Sequence, residues 1–152
     1  MTEIGDPLPN VTLKDSADQD VKLSELKPPF VLYYYPKADT PGCTNEGKDF
    51  TALKADFDKL GVSIYGLSKD TPAKLAKFAA KYDFKITLLS DEQSDATEQM
   101  GVWVEKNMYG KKYMGIERAT FLIGTDGKVA QIWRKVKVKG HAAEVLSAAQ
   151  AL

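Results

Sequence analysis

The chain has 152 residues, with 21 basic and 21 acidic side chains that give a formal net charge of zero at pH 7. We expect one domain over residues 1–152, and the interspersed charges, with neither a secretory signal nor an apolar span of about 18 residues, argue against nucleic-acid and membrane partners. One cysteine and one histidine provide neither an internal disulfide nor a metal site, so we expect a cytoplasmic protein without metal or cofactor.

The N-terminal region predicts small elements at the edge of a sheet. Residues 6–13 mix apolar and polar side chains with two prolines, which is typical of an edge segment. A turn over 14–20 separates this segment from 21–23, and the two predict a small hairpin. Residues 24–27 predict a single helical turn with Ser24 as its cap.

A buried strand and a helix follow. Residues 29–35 are rich in Val, Leu and Tyr and are bounded by prolines, which predicts a buried strand. Thr40 is a good N-cap candidate, and Pro41 suits the first position of the helix. The helix should end at Gly61 and pack one apolar stripe on the sheet. That stripe consists of Phe50, Leu53, Phe57 and Leu60.

The middle of the chain continues the alternation of strand and helix. Residues 62–68 predict a second buried strand, parallel to the first. The next helix begins near Pro72, with Asp70 or Thr71 as cap, and ends near Phe84. Its inner face consists of Leu75, Phe78, Ala79 and Tyr82.

The C-terminal third begins with a short strand at 86–89 and a brief helix at 96–100, followed by a long loop punctuated by glycines. The Asp-Gly pair at 126–127 predicts a hairpin between 118–124 and 128–134. Residues 140–152 predict a final helix. The order of elements is that of an α/β, thioredoxin-like sheet with an N-terminal extension.

Cys43 lies where the buried strand passes into the helix. The first turn of a helix has unpaired N–H groups and the positive end of the macrodipole, and both stabilise an anion such as a thiolate. A lone cysteine is most often a small buried apolar residue. Its neighbours here are Gly42, Thr44 and Asn45 in a turn, which favours a reactive thiolate.

Residues 35–44 read Tyr-Pro-Lys-Ala-Asp-Thr-Pro-Gly-Cys-Thr. With Glu46, this segment resembles the active-site segment of the peroxiredoxins, specifically the bacterioferritin comigratory protein or peroxiredoxin Q group. Pro36, Thr40 and Cys43 match the Pro-x-x-x-Thr-x-x-Cys pattern of that family. The resemblance covers nearly the full length, and it implies a thioredoxin-like fold with an N-terminal β-hairpin extension.

A second segment, residues 101–123, is similar to the stretch that supplies the active-site arginine of that group, here Arg118. The resemblance implies a thiol-dependent peroxidase that reduces hydrogen peroxide and alkyl hydroperoxides, with the Cys43 thiolate becoming a sulfenic acid. Thr40 and the backbone N–H groups of Gly42 and Cys43 would stabilise the leaving oxygen, and Arg118 would stabilise the thiolate and hold the peroxide. Pro36 would shield the thiolate from water.

Three further residues lie near this scheme without a fixed role in it. Glu46 belongs either to a polar network near the site, by resemblance, or simply to the acidic start of a helix. His141 is a candidate general base, but the family pattern has no histidine there, and we expect it at the surface. Trp103 is expected to pack in the core, in a loop able to wall the pocket.

The chain departs from its group at the resolving cysteine. Members of the group often carry a second cysteine, either at the position of Lys48 or in the next helix, near Ala79. An external thiol of the thioredoxin, glutaredoxin or glutathione type is therefore expected to reduce Cys43. The chain is either natively a one-cysteine enzyme or one whose resolving cysteine has been replaced.

Two further alternatives remain open at the level of sequence. A non-enzymatic redox sensor or thiol-binding adaptor is the alternative to catalysis, because such a protein also needs a reactive thiolate. A monomer is expected, with a homodimer as the alternative.

Overall fold

A computed structural model describes residues 2–152, which contain nine β-strands and four α-helices. The strands are β1 (Thr12–Asp15), β2 (Asp20–Lys22), β3 (Phe30–Tyr34), β4 (Ser63–Ser68), β5 (Thr87–Ser90), β6 (Trp103–Met108), β7 (Lys111–Ile116), β8 (Ala119–Ile123) and β9 (Val129–Trp133). The helices are α1 (Pro41–Lys59), α2 (Pro72–Tyr82), α3 (Ala96–Gln99) and α4 (His141–Gln150). Seven strands form one sheet in the order β2-β1-β5-β4-β3-β8-β9, and β6 and β7 form a separate hairpin.

Strand β3 lies at the centre of the molecule. All five of its residues are buried, because both faces of the sheet are covered at this strand. Its neighbours are β4, which runs parallel, and β8, which runs antiparallel. The apolar run that predicted a buried strand therefore reflects a strand between two cores.

The two cores take alternate residues of β3. Val31 and Tyr33 point to the side covered by α1, α2 and α4, where Tyr33 stacks on Phe50 with ring centroids 4.7 Å apart. Leu32 and Tyr34 point to the other side, where they share a core with Val11 and Leu23 of the N-terminal region and with Ala96 of α3. This alternation follows from the two-residue period of a strand.

The predicted β-α-β order is confirmed. Helix α1 begins at Pro41 after Thr40, β4 pairs in parallel with β3, and α2 begins at Pro72. Thr71 is the cap of α2, because its hydroxyl accepts a hydrogen bond from the N–H of Lys74. The stripe predicted for α1 is wrong at Leu60, which is 39% exposed and lies just after the end of the helix at Lys59.

The predicted loop after α3 is wrong, because residues 103–116 form the hairpin of β6 and β7. Its turn is Tyr109–Gly110, and both residues have positive φ, 53° and 79°. Two-residue hairpin turns need this conformation, which a tyrosine adopts rarely. Gly110 is a usual residue for such a turn and Tyr109 is not, so the sequence contains only half of the usual turn signal.

Two smaller elements also differ from expectation. The helical turn near residue 24 is a 3₁₀ helix over Leu23–Glu25, and Lys22 rather than Ser24 stands at its cap position. The hydroxyl of Ser24 instead donates to Oδ1 of Asn10. The predicted N-terminal hairpin is present as β1 and β2, and β1 also pairs with β5, so the extension is part of the main sheet.

His141 is not at the surface as predicted. It begins α4, is 4% exposed, and lies 2.7 Å through Nε2 from the hydroxyl of Thr120. The rings of Phe50 and Trp133 meet it edge to face. Burial lowers the pKa of His141, so the side chain is a neutral part of the core.

None of the helices within residues 2–152 is long and apolar enough to cross a membrane.

Gly47 of α1 lies against the ring of Phe84, in the loop after α2, and this close contact leads to a prediction. A Cβ at this position would lie 2.6 Å from Cε2 of Phe84, so a clash should outweigh the gain of about 1 kcal/mol in helix propensity. We expect Gly47→Ala to lower the free energy of unfolding by about 1–2 kcal/mol in urea denaturation. Ala55→Gly, on the exposed face of the same helix, provides the matched measure of propensity alone. A more stable Gly47→Ala protein would contradict the tight packing.

Candidate active site

Cys43 is the third residue of α1, and its side chain is 1% exposed. The helix begins here because Pro41 has a fixed φ that suits the first position, and Thr40 keeps an extended conformation before it. The first helical hydrogen bond joins the N–H of Thr44 to the carbonyl of Thr40 at 2.9 Å. Cys43 therefore lies in the turn whose N–H groups are unpaired within the helix.

Arg118 reaches this turn from a distant part of the sequence. It immediately precedes β8, and the antiparallel register places Ala119 opposite Tyr34 at the end of β3. Its guanidinium then lies between two partners: Nη2 is 3.4 Å from Sγ of Cys43, and Nη1 donates to Oε1 of Glu46 at 2.7 Å.

The ion pair of Glu46 and Arg118 is largely buried, with side chains 1% and 17% exposed. Burial raises the pKa of Glu46 to about 7, although the charge and hydrogen bond of Arg118 oppose this effect. Burial also disfavours the charge of Arg118, but Glu46 and Cys43 together raise its pKa. Oε2 of Glu46 is buried without a hydrogen-bond partner. Through its bond with Arg118, Glu46 lies in a polar network. It lies beyond the first turn of α1, which contains no acidic residue.

The other expected site residues have separate surroundings. Gly42 leaves room for the arginine, because a Cβ there would lie 3.0 Å from Nη2 of Arg118. The hydroxyl of Thr40 donates to the carbonyl of Lys37 at 2.9 Å and makes no side-chain cap for the helix. Pro36 is half-buried at the start of the connecting loop.

The loop before α1 is fixed by residues that the sequence did not indicate. The N–H of Ala38 donates to Oδ2 of Asp70 at 2.7 Å. Asp39 has a φ of 60° and accepts hydrogen bonds from the hydroxyl of Tyr82 at 2.5 Å and from Nζ of Lys81 at 2.9 Å. Asp70 follows β4, and the carboxyl ends of parallel strands share one edge of a sheet. Its position after a strand was therefore the one feature of the sequence that could have indicated its contact with the loop before α1.

Lys106 of β6 is a second cation that sequence reasoning missed. Burial lowers its pKa, and the nearby charge of Arg118 lowers it further. Trp103, on the same strand, packs in the core behind β3, with Nζ of Lys69 lying 5.4 Å from its ring centroid. The packing expected for Trp103 is observed, but these contacts do not make it a wall of the site.

The site offers no obvious metal ligands. Within the part of the chain that the structure describes, no three His, Cys, Asp or Glu side chains are grouped to hold a metal ion. Cys43 and His141 in particular belong to different elements, and the ring of His141 is bonded to Thr120.

The chain has the sequence features of a known protein family. Residues 4–132 match the model of the AhpC/TSA family. The chain belongs to that family. Its curated relatives are peroxiredoxins of the Bcp, or peroxiredoxin Q, group, so this peroxiredoxin is a thiol-dependent peroxidase with a hydroperoxide substrate and a thiol reductant.

The similarity extends over almost the whole enzyme. It is 46% identical over 145 residues to a putative peroxiredoxin Bcp of Coxiella burnetii, covering 95% of this chain and 96% of the relative. Peroxiredoxin Bcp of Bacillus subtilis is also 46% identical over 145 residues, covering 95% and 92%.

Solved structures of related proteins have the same fold as this chain. The bacterioferritin comigratory protein of Xanthomonas campestris, solved in work on its alkyl peroxide reduction activity, superposes with a TM-score of 0.89 at 43% identity and covers 98% of each chain. A cysteine-to-serine mutant of PrxQ from Xylella fastidiosa gives a TM-score of 0.92 at 38% identity, covering 99% of this chain and 97% of the other. The expected thioredoxin-like peroxiredoxin fold is confirmed.

The raised pKa of Glu46 predicts how stability depends on pH. The folded state favours the protonated carboxyl, so this contribution is complete below the unfolded pKa of about 4.5 and is lost as pH rises through about 7. Relative to Glu46→Gln, the unmodified enzyme should lose about 2–3 kcal/mol of unfolding free energy between pH 4.5 and 8, at about 1.4 kcal/mol per pKa unit. Urea denaturation of both proteins across this range is the measurement. Parallel stability curves would show that Glu46 has an ordinary pKa.

Proposed function

We propose that Cys43 is the nucleophile of this peroxidase and that its substrates include hydrogen peroxide and alkyl hydroperoxides. The observation that carries this proposal is the guanidinium of Arg118, 3.4 Å from Sγ of Cys43 and paired on its other side with Glu46. A permanently charged group at this distance stabilises a thiolate. Alkyl hydroperoxides are included because the Xanthomonas relative was studied for its alkyl peroxide reduction activity.

The chemical step moves one oxygen from substrate to sulfur. The thiolate attacks the nearer oxygen of the hydroperoxide, the O–O bond breaks, and Cys43 becomes a sulfenic acid while the other oxygen leaves as hydroxide or alkoxide and takes up a proton. Arg118 stabilises the negative charge as it moves from sulfur to oxygen. The N–H groups of Gly42 and Cys43 at the start of α1 act in the same direction.

In this proposal Thr40 does not donate a hydrogen bond to the leaving oxygen. Its hydroxyl proton is already donated to the carbonyl of Lys37, which leaves the lone pairs of the oxygen free to accept. An alkyl hydroperoxide carries one O–H donor and hydrogen peroxide carries two, so Thr40 is suited to accept a hydrogen bond from the substrate and orient it. Pro36 shapes the wall of the pocket without competing for hydrogen bonds.

Regeneration requires a thiol from outside the chain. Cys43 is the only cysteine in the sequence, and it is free. Lys48 is exposed and Ala79 is half-buried at the positions where a resolving cysteine would stand. We propose that the enzyme acts in a reducing compartment such as the cytoplasm.

We also propose that the active form is a monomer with one domain. Cys43, Arg118 and Glu46 all come from a single chain, so the site is complete without a second copy.

The burial of Cys43 argues against the alternative of a redox sensor or adaptor. A thiol that changes a partner contact when it is oxidised needs to lie at an accessible surface, whereas the Cys43 side chain is 1% exposed. The arginine and carboxylate beside it serve a reaction rather than a surface contact.

The mass of the protein after oxidation tests the proposed nucleophile. One equivalent of hydrogen peroxide should add a single oxygen to the unmodified chain, while Cys43→Ser should gain none and should consume no peroxide, because a serine hydroxyl is scarcely ionised at neutral pH. Intact-mass spectrometry and a peroxide assay give both results, and circular dichroism checks that the variant is folded. Continued turnover by folded Cys43→Ser would remove Cys43 from the mechanism.

Arginine variants test the electrostatic part of the proposal. Arg118→Ala should slow the reaction with peroxide by about one to two orders of magnitude, since a charge-assisted hydrogen bond contributes about 1.5–3 kcal/mol. Arg118→Lys should recover only part of the rate, because an ammonium cannot bridge Cys43 and Glu46 with two separate nitrogens. Stopped-flow measurement of Cys43 oxidation gives the rates. Equal rates in all three proteins would contradict the role of Arg118.

A further inference from the structure

A basic cavity of about 240 Å³ lies between the loop before α1 and helix α2. On the loop side it is lined by residues 37–39, which precede Cys43 by four to six positions in sequence, and on the other side by one face of α2. The lining residues are Lys37, Ala38, Asp39, Asp70, Lys74, Lys77, Phe78 and Lys81. The site described above does not use this cavity.

The charges around the cavity are not balanced. Lys37, Lys74 and Lys77 belong to none of the ion pairs found in residues 2–152. Lys81 is the one lysine of the lining with a carboxylate partner, Asp39, in that part of the chain. Because the whole protein has zero net charge, this face is a local concentration of positive charge that favours an anionic ligand.

The two carboxylates of the lining are already engaged. Asp70 accepts hydrogen bonds from the N–H of Ala38 at 2.7 Å and from the hydroxyl of Ser68 at 2.8 Å, and Asp39 accepts from Tyr82 and Lys81. They therefore hold the walls of the cavity in place and leave the remaining ammonium groups for a ligand.

The inner wall is apolar and has a polar group behind it. Ala38 and Phe78 form this wall, and the ring of Phe78 packs against Tyr35 with centroids 6.0 Å apart. The hydroxyl of Tyr35 is buried and has no hydrogen-bond partner. A concave site with an apolar wall and charged groups at its rim has the make-up of a small-ligand site.

We propose that this cavity binds the thiol that reduces the Cys43 sulfenic acid, and that this thiol is a small molecule carrying carboxylate groups, as glutathione does. The inference rests on the proposed function, because it concerns the second half of the same catalytic cycle. The lysines of α2 hold the carboxylates, and the loop from Lys37 to Asp39 leads the bound thiol toward the start of α1. The concave shape favours a small ligand over the surface of a protein.

The reaction at this site balances with two molecules of thiol. The first attacks the sulfur of the sulfenic acid, forms a mixed disulfide with Cys43 and releases the hydroxyl as water. The second attacks the mixed disulfide at the sulfur of the bound thiol, which frees Cys43 as a thiol and releases the oxidised disulfide of the reductant. Two thiols are oxidised while one sulfenic acid is reduced.

The test compares two thiols on pre-oxidised enzyme. Each protein first receives one equivalent of peroxide, and intact mass verifies the added oxygen; failure at this point would contradict the proposed function and not the cavity. The disappearance of the sulfenic acid is then followed with glutathione and with uncharged 2-mercaptoethanol, at low and high ionic strength. The variant is Lys74→Gln with Lys77→Gln, and both side chains are exposed.

The control removes the same charge elsewhere. Lys27→Gln with Lys128→Gln changes two exposed lysines near the opposite end of the sheet, where β3 begins and β8 ends. We expect the Lys74/Lys77 variant to react roughly fivefold more slowly with glutathione at low ionic strength, with the difference shrinking in high salt. Its rate with 2-mercaptoethanol, and both rates of the control protein, should stay unchanged.

Several outcomes would overturn the proposal. An unchanged glutathione rate would show that the lysines do not bind the carboxylates. An equal loss with both thiols would indicate damage to the loop rather than loss of ligand binding. A loss with a protein reductant such as thioredoxin but not with glutathione would assign the basic face to protein docking.

Discussion

The guanidinium of Arg118 is the charge on which the site depends. A buried cation is costly unless charged or hydrogen-bonding partners surround it, and Arg118 has two, Glu46 and Cys43. When Glu46 is ionised, the pair with Arg118 is closer to neutral; when Glu46 is protonated, the positive charge is left for the sulfur. The raised pKa of Glu46 therefore connects the protonation of one carboxyl to the electrostatic field at the sulfur of Cys43.

The fold holds this charge in place through the pairing of two strands. Strands β3 and β8 are antiparallel, so the end of one and the start of the other meet at the same edge of the sheet. Cys43 follows the first and Arg118 precedes the second, which joins residues 75 positions apart in sequence. Gly42 completes the arrangement, because a larger residue would lie against the guanidinium.

Local signals in the sequence predicted the elements but not the contacts between them. Pro41 and the apolar run of β3 were sufficient for the start of α1 and for the buried strand, since both depend on nearby residues. The position of Arg118 depends on the register of two distant strands, so only the resemblance to a family could indicate it. His141 was misplaced because its burial comes from the packing of α4 on α1 and β9, which no local pattern contains. The hairpin of β6 and β7 was missed because Tyr109 adopts a conformation that is uncommon for its residue type.

The burial of Cys43 has a consequence for the electrophiles that this sulfur meets. Its side chain is 1% exposed, so a molecule has to be small, or narrow at its reactive end, to reach the sulfur without opening the first turn of α1. Bulky alkylating reagents and the disulfides of folded proteins are held back by size whatever their intrinsic reactivity. Steric access thus acts as a filter in front of Cys43, and it admits molecules with a narrow reactive end, such as a hydroperoxide or a small thiol.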